Sequence, residues 1–146
     1  MKRVLLDTNI LVYAMEPRDP ERQEQTLALI SGLTDTCQCC LSVQNLSEFA
    51  NVAIKKLSLS PDEAILLIEN WKNLFLIFDL TPECVLEAAY GVRDHQLSWF
   101  DAQVWASARF NQVPVVLSED FQHGQLLGGV QFLNPFKASF QLEDLQ

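Results

Sequence analysis

Short apolar runs recur along this chain, and each is separated from the next by a longer stretch with helical periodicity. The runs are Val4–Leu6, Cys39–Val43, a segment within Leu74–Leu80, Val113–Leu117 and Val130–Leu133. Continuous apolar runs of this length fit strands buried on both faces of a sheet. The intervening stretches read as helices over Ile10–Met15, Glu21–Leu33, Gln44–Leu57, Pro61–Asn73, Pro82–His95 and Ser98–Asn111. Ser60-Pro61-Asp62-Glu63 and Thr81-Pro82-Glu83 are strong helix starts, each with a hydroxyl cap and a proline in the first turn. Pro17 and Pro20 interrupt the chain between the first two helices, Gly32 stands near the end of the second, and Gly91 is expected to weaken the fifth.

Strands that alternate with helices demand parallel pairing, right-handed crossovers and helices on both faces. The expectation is an α/β chain with a mostly parallel sheet of four to five strands. The length, 146 residues, fits a single domain over 1–146. With 49% hydrophobic residues such a domain builds its core without disulfides or a structural metal. No apolar run approaches the roughly 20 residues needed to span a bilayer. Met1-Lys2-Arg3 leads directly into Val4-Leu5-Leu6-Asp7, an apolar stretch too short for a secretory signal, so the cytosol is the expected compartment. Cys37, Cys39, Cys40 and Cys84 lack zinc-type spacing and read as small core hydrophobes.

In sheets of this kind, ligands bind beyond the carboxyl ends of the strands, where the strand order reverses. Four acids belong to that edge. Asp7 directly follows the first strand and Asp120 lies three residues beyond Leu117. Glu48 is within about two turns of the start of its helix, and Asp101 is in the first turn of the helix leading into the fourth strand. If the first and fourth strands are neighbours, the four carboxylates converge. Taken singly, Asp7, Asp101 and Asp120 also read as helix or turn caps, and Glu48 as a solvated helix residue. Together they pose an electrostatic problem, because crowded carboxylates must either raise their pKa values or share a cation. Oxygen ligands without imidazole or thiolate favour Mg²⁺ or Mn²⁺, and the chemistry that follows is phosphodiester hydrolysis. The apolar neighbours Trp99, Phe100, Ala102, Val104 and Trp105 lead one to expect Asp101 to be semi-buried.

Four segments carry a family resemblance: Leu5-Leu6-Asp7-Thr8-Asn9, Ser47-Glu48-Phe49, Trp99-Phe100-Asp101-Ala102, and Leu117-Ser118-Glu119-Asp120-Phe121-Gln122-His123-Gly124. In order, spacing and overall length the chain resembles the PIN-domain family, and within it the VapC-type toxins of toxin–antitoxin pairs. The resemblance implies a three-layer α/β/α fold and a metal-dependent endoribonuclease acting on RNA. It makes Asp7 and Asp101 the main metal ligands, with Glu48 and Asp120 completing the acidic cluster. Ser118 would help hold water or metal, and Asn9 would orient the first carboxylate. Asp120, rather than the adjacent Glu119, aligns with the family's last acid.

The resemblance also implies a small antitoxin whose basic segment enters the acidic groove. That bears on the net charge of −9, which is the opposite of what a nucleic-acid binder usually carries. A basic protein partner suits it. RNA would depend on local cations, for which Arg18, Arg22, Arg93, Arg109 and Lys55-Lys56 are the candidates, although each reads more often as a surface charge. Trp99 reads as core more readily than as a base-stacking platform. Ile10, Val12, Tyr13, Met15, Val52, Ile54, Leu57 and Leu59 exceed one buried stripe; they either complete the core or form a surface for a partner helix or a homodimer.

Three other readings compete. A dehalogenase-type phosphatase needs Asp where Asn9 stands, and a receiver domain needs a lysine where Asn134-Pro135 follows the last strand. A PIN-like scaffold that binds RNA or protein without cutting is the third, and metal titration separates it from an enzyme.

Overall fold

The computed structural model describes residues 1–145, and Gln146 lies outside the described residues. Element order follows the periodicity. Strand β1 (Arg3–Leu6) leads into helix α1 (Thr8–Ala14), then α2 (Pro20–Thr36), β2 (Gln38–Ser42), α3 (Val43–Lys55) and α4 (Pro61–Leu74). Next come β3 (Leu76–Phe78), α5 (Pro82–His95), α6 (Trp99–Phe110), β4 (Val115–Leu117), β5 (Leu126–Leu127) and β6 (Val130–Leu133), followed by a 3-10 turn at Leu142–Leu145.

The sheet has six strands in the order β3-β2-β1-β4-β6-β5. All neighbours are parallel except the β5–β6 pair. The strand beyond the expected four to five is β5, two residues that fold back on β6 through Gly128 and Gly129, both at positive φ. That Gly-Gly between apolar residues is a tight-hairpin signal, and the brevity of Leu126-Leu127 hid it.

Alternation along the buried strands divides the interior into two layers. Val4, Leu6, Cys39, Leu41, Val115 and Leu117 face the helices α1 to α4, packing on Leu11, Leu33, Phe49 and Trp71. Leu5, Cys40, Val116 and Phe132 face α5 and α6, packing on Ala88, Ala102 and Trp105. The result is the three-layer α/β/α arrangement. All four cysteines are buried and free, as small hydrophobes would be. Among the described residues no helix is long and apolar enough to cross a membrane.

Caps set the helix starts. Ser60 and Glu63 close a complete capping box, Thr81 accepts from Cys84 N–H, and Ser98 accepts from Asp101 N–H. The two interior glycines differ from expectation. Helix α2 continues past Gly32 to Thr36, and a Cβ at Gly32 would stand 2.6 Å from Leu142 of the closing turn. Helix α5 runs unbroken through Gly91, where a Cβ would meet the Trp105 indole at 2.7 Å. Both glycines permit close packing rather than ending helices.

Candidate active site

Strand β1 is where the sheet order reverses: β2 and β3 continue to one side, β4, β6 and β5 to the other. Its register pairs Leu6 with Leu117, and the ladder extends one step further as Asp7 N–H donates to Leu117 C=O (3.0 Å). Asp7 and the Ser118–Asp120 segment therefore leave the sheet side by side at the carboxyl edge, the switch point where such sheets bind ligands.

Asp7 is 5% exposed and caps α1. One carboxylate oxygen, Oδ1, accepts from Thr8 N–H (2.8 Å) and from Asn45 Nδ2 (3.3 Å), and Oδ2 accepts from the Ser118 hydroxyl (2.7 Å). Burial drives its pKa up to about 6; the bonds from Ser118 and Thr8 oppose this, while Asp120 and Glu48 add to it. Ser118, fully buried, uses its whole bonding capacity: the hydroxyl donates to Asp7 and accepts from Asp120 N–H (3.1 Å) and Asn9 Nδ2 (3.3 Å).

Asn9 bonds the last acid rather than the first. Its Nδ2 donates to Asp120 Oδ2 (3.1 Å) and to Ser118, and the amide that reaches Asp7 comes from Asn45. Asn45 is fully buried; its Oδ1 accepts from Ser42 N–H and the Ser42 hydroxyl, and its Nδ2 also donates to Thr8 Oγ1 (3.1 Å). Sequence reasoning missed Asn45, which the N3 position after Ser42 identifies only as half of a capping box. Thr8 passes the network on by donating to Glu48 Oε2 (3.2 Å), and Gln44 Nε2 donates to Glu48 Oε1 (2.7 Å) and to Phe100 C=O (3.4 Å).

Asp101 is half-buried in the first turn of α6, and its pKa is raised, first by burial and then by Asp120 and Glu48. Asp120 is exposed. Glu119 turns away: it accepts from Tyr13 OH (2.6 Å) and pairs with Arg22 (3.7 Å). Neither imidazole joins the acids, since His123 Nδ1 accepts from Asn134 N–H and His95 packs edge-on against Trp105.

Among the described residues no three His, Cys, Asp or Glu side chains are already drawn together closely enough to hold an ion. The donor chemistry nevertheless suits Mg²⁺ or Mn²⁺, which are commonly held by one or two carboxylates and keep several waters. Two carbonyl oxygens bordering the carboxylates, Asn9 Oδ1 and Gln44 Oε1, are buried without a hydrogen-bond partner, as expected beside a site that takes up water or a cation.

The four arginines among the candidate RNA contacts are each paired within the molecule. Arg18 pairs with Glu16, Arg22 with Glu119, Arg93 with Asp94 and Arg109 with Glu87. Lys55 and Lys56 form no ion pair among the described residues, and Lys56 lines a groove of about 300 Å³ together with Thr8, Asn9, Val12, Tyr13, Val52 and Glu119. Of the surplus apolar residues, Ile10 is fully buried and Val12, Met15 and Leu59 pack against the core, while Val12, Tyr13 and Val52 also line this groove. Trp99, expected in the core, is 41% exposed, and Phe100 is 63% exposed.

A sequence profile described as PIN domain matches residues 4–126. None of the curated proteins matches the chain significantly in sequence. Among solved structures, FitAB bound to an IR36 DNA fragment aligns with a TM-score of 0.68 at 19% identity, covering 94% of this chain and 98% of that one. DNA-bound VapBC from Salmonella typhimurium aligns at 0.62 and 18% identity, covering 90% and 97%. Mycobacterium tuberculosis VapC20, a Sarcin-Ricin loop cleaving toxin, aligns at 0.62 and 13% identity, covering 77% and 86%.

Proposed function

Because the chain belongs to the PIN-domain family, we propose that it is a metal-dependent endoribonuclease and the toxin of a toxin–antitoxin pair. The observation that carries this reading is the buried Asp7, whose ionisation is opposed by burial and by Asp120 and Glu48, at the switch point of the sheet. A carboxylate in that position calls for a cation. Asp7 and Asp101 are the proposed principal ligands of Mg²⁺ or Mn²⁺, with Glu48 and Asp120 completing the set. A bound ion of this kind polarises a phosphoryl oxygen and acidifies the water beside it.

The remaining work falls to the protein. Ser118, Thr8 and Asn45 fix the Asp7 carboxylate so that no reorganisation is needed when substrate arrives. Asn9 and Ser118 hold Asp120 from two sides. Thr8 and Gln44 each donate to one oxygen of Glu48. The antitoxin's basic segment would use the same acidic edge, with an apolar part in the groove between Val12, Tyr13 and Val52. Solved structures of VapBC and FitAB align over nearly the whole chain, which supports a partner of this type.

The test is Mn²⁺-dependent cleavage of RNA by the purified chain and by Asp101→Asn. The variant is expected to lose cleavage by a factor of at least about 100, as for loss of a principal transition-state contact. Its melting temperature in EDTA is expected to equal or exceed the parent's, because a charge disfavoured by burial has been removed. Calorimetry with Mn²⁺ separates the alternative: a non-catalytic RNA- or protein-binding module would give no heat that depends on Asp7 and Asp101.

A further inference from the structure

Two adjacent carboxylates follow β4, and one face of α1 holds both. Asn9 and Tyr13 are four residues apart on that helix, so their side chains lie one above the other. Asn9 Nδ2 donates to Asp120 Oδ2 (3.1 Å), and Tyr13 OH donates to Glu119 Oε1 (2.6 Å). The second bond has the length of a charge-assisted one. Glu119 as acceptor pushes the Tyr13 hydroxyl up to about 12, so this donor keeps its proton throughout the neutral range. Arg22 meets the other Glu119 oxygen at 3.7 Å, with its guanidinium 4.1 Å from the centre of the Phe136 ring and 5.2 Å from that of Tyr13. Phe136 in turn meets the Tyr13 ring edge-on at 5.3 Å, and its N–H donates to Asn134 Oδ1.

The chain on the sheet side of these acids is fixed as well. Ser118, fully buried, donates to Asp7 and accepts from Asp120 N–H, and its own N–H bonds Leu133 C=O (3.0 Å). Between that anchor and Asp120 stands only Glu119, tied to α1 and α2. A freed Glu119 would carry Asp120 with it, because the peptide plane between them is rigid. We propose that Tyr13, with Arg22 behind it, is a positioning residue: by holding Glu119 away from the cluster it aims Asp120 at Asn9 and at the metal. This rests on the metal-dependent nuclease reading above. Arg22 and Glu119 are 32% and 30% exposed, where an ion pair contributes little, so the directional bond from Tyr13 carries most of the effect.

Tyr13→Phe keeps the ring against Phe136 and Arg22 and removes only the bond to Glu119. Calorimetry is expected to show about tenfold weaker Mn²⁺ binding, the usual size of a loss behind the metal ligands. In Mn²⁺-dependent cleavage of RNA, kcat is expected to fall about tenfold while KM stays within about twofold, since no contact with RNA has been removed. Glu119→Ala should reproduce both effects, and the double variant should be no worse than either single one, because the two residues act through one bond. Glu119→Gln keeps an acceptor for the Tyr13 hydroxyl and is expected to restore most of what Glu119→Ala loses. In EDTA the side-chain amide NMR signals of Asn9 are expected to shift in Tyr13→Phe, while those of Asn45, which bonds Asp7 and Thr8, stay in place.

Parent-like Mn²⁺ binding and kcat in Tyr13→Phe, or additive losses in the double variant, overturn the positioning role and leave the nuclease standing. Loss of metal binding in Glu119→Ala with none in Tyr13→Phe also overturns it, since Glu119 is then itself a ligand. If the parent neither binds Mn²⁺ nor cuts RNA, the nuclease reading fails and the Asn9 amide alone decides. Unshifted signals in Tyr13→Phe overturn the aiming of Asp120; shifted signals with Asn45 unmoved uphold it.

Discussion

At Asp7 the folded chain holds a carboxylate whose ionisation is opposed by burial and assisted by donors on Thr8, Ser118 and Asn45. Its pKa, about 6 in the native state against 3.8 for the model compound, has a definite consequence for stability. Between these values the native state binds more protons than the unfolded chain, so stability falls as pH rises through that window. The penalty is absent at pH 3 and complete by about pH 7, where a shift of this size amounts to about 3 kcal/mol. Metal-free parent is therefore expected to lose about that much relative to Asp7→Asn between pH 3.5 and 7, measured by urea unfolding in EDTA. Asparagine cannot accept from both Ser118 and Thr8 as the carboxylate does, which adds a pH-independent offset but no slope. Parallel pH profiles for the two proteins would show that Asp7 is not the strained group.

Among the elements, the α5–α6 pair positions Asp101, and Gly91 of α5 packs against the Trp105 indole of α6. Helix propensity alone makes Gly91→Ala stabilising by about 1 kcal/mol. The structure reverses the sign. A methyl group 2.7 Å from the indole must push α6 away or turn Trp105 from the Leu127 carbonyl that its Nε1–H bonds (3.0 Å). Overpacking of this kind costs about 1–3 kcal/mol. Gly91→Ala is thus expected to melt below the parent and, through the displaced start of α6, to weaken Mn²⁺ binding measured by calorimetry. A rise in melting temperature would mean that the two helices yield freely at this contact. The Ser60–Glu63 box offers a contrast: Ser60→Ala removes an exposed cap at the start of α4, worth about 1 kcal/mol, with no expected effect on metal affinity.

Over the whole molecule, the charge of −9 opposes compactness and favours any ligand that brings positive charge. Mg²⁺ or Mn²⁺ that binds only the folded state is expected to raise the melting temperature with concentration, by an increment equivalent to about 2.7 kcal/mol at a hundred times Kd. Asp7→Asn should remove most of that rise, and stabilisation by Zn²⁺ alone through the cysteines would point to a different site. The proposed antitoxin is larger cargo for the same field. Co-expression with the neighbouring gene, followed by light-scattering chromatography, is expected to give a complex whose association slows as salt rises. A chain that stays monomeric, acquires no partner and leaves growth unaffected would remove the toxin–antitoxin reading while the nuclease reading stands on its own assay.

Local chemistry determined the order of strands and helices, the caps at Ser60, Thr81 and Ser98, and the location of Asp7, Asp101 and Asp120 at element ends, because periodicity and capping depend on residues a few positions apart. The family resemblance rested on four short segments in order, each legible without the fold. Tertiary structure decided what depends on distant partners. Only the pairing of β1 with β4 brings Asp7 against Ser118, 111 residues away. Only the packing of α1 on the edge engages Glu119 with Tyr13 and turns Asp120 towards Asn9. The reach of Asn45 across 38 residues to Asp7, the exposure of Trp99, and the roles of Gly32 and Gly91 as contact points likewise had no local signature. Side-chain direction and close approach are set by the elements that pack together, and in a parallel sheet those elements are separated in sequence by whole crossovers.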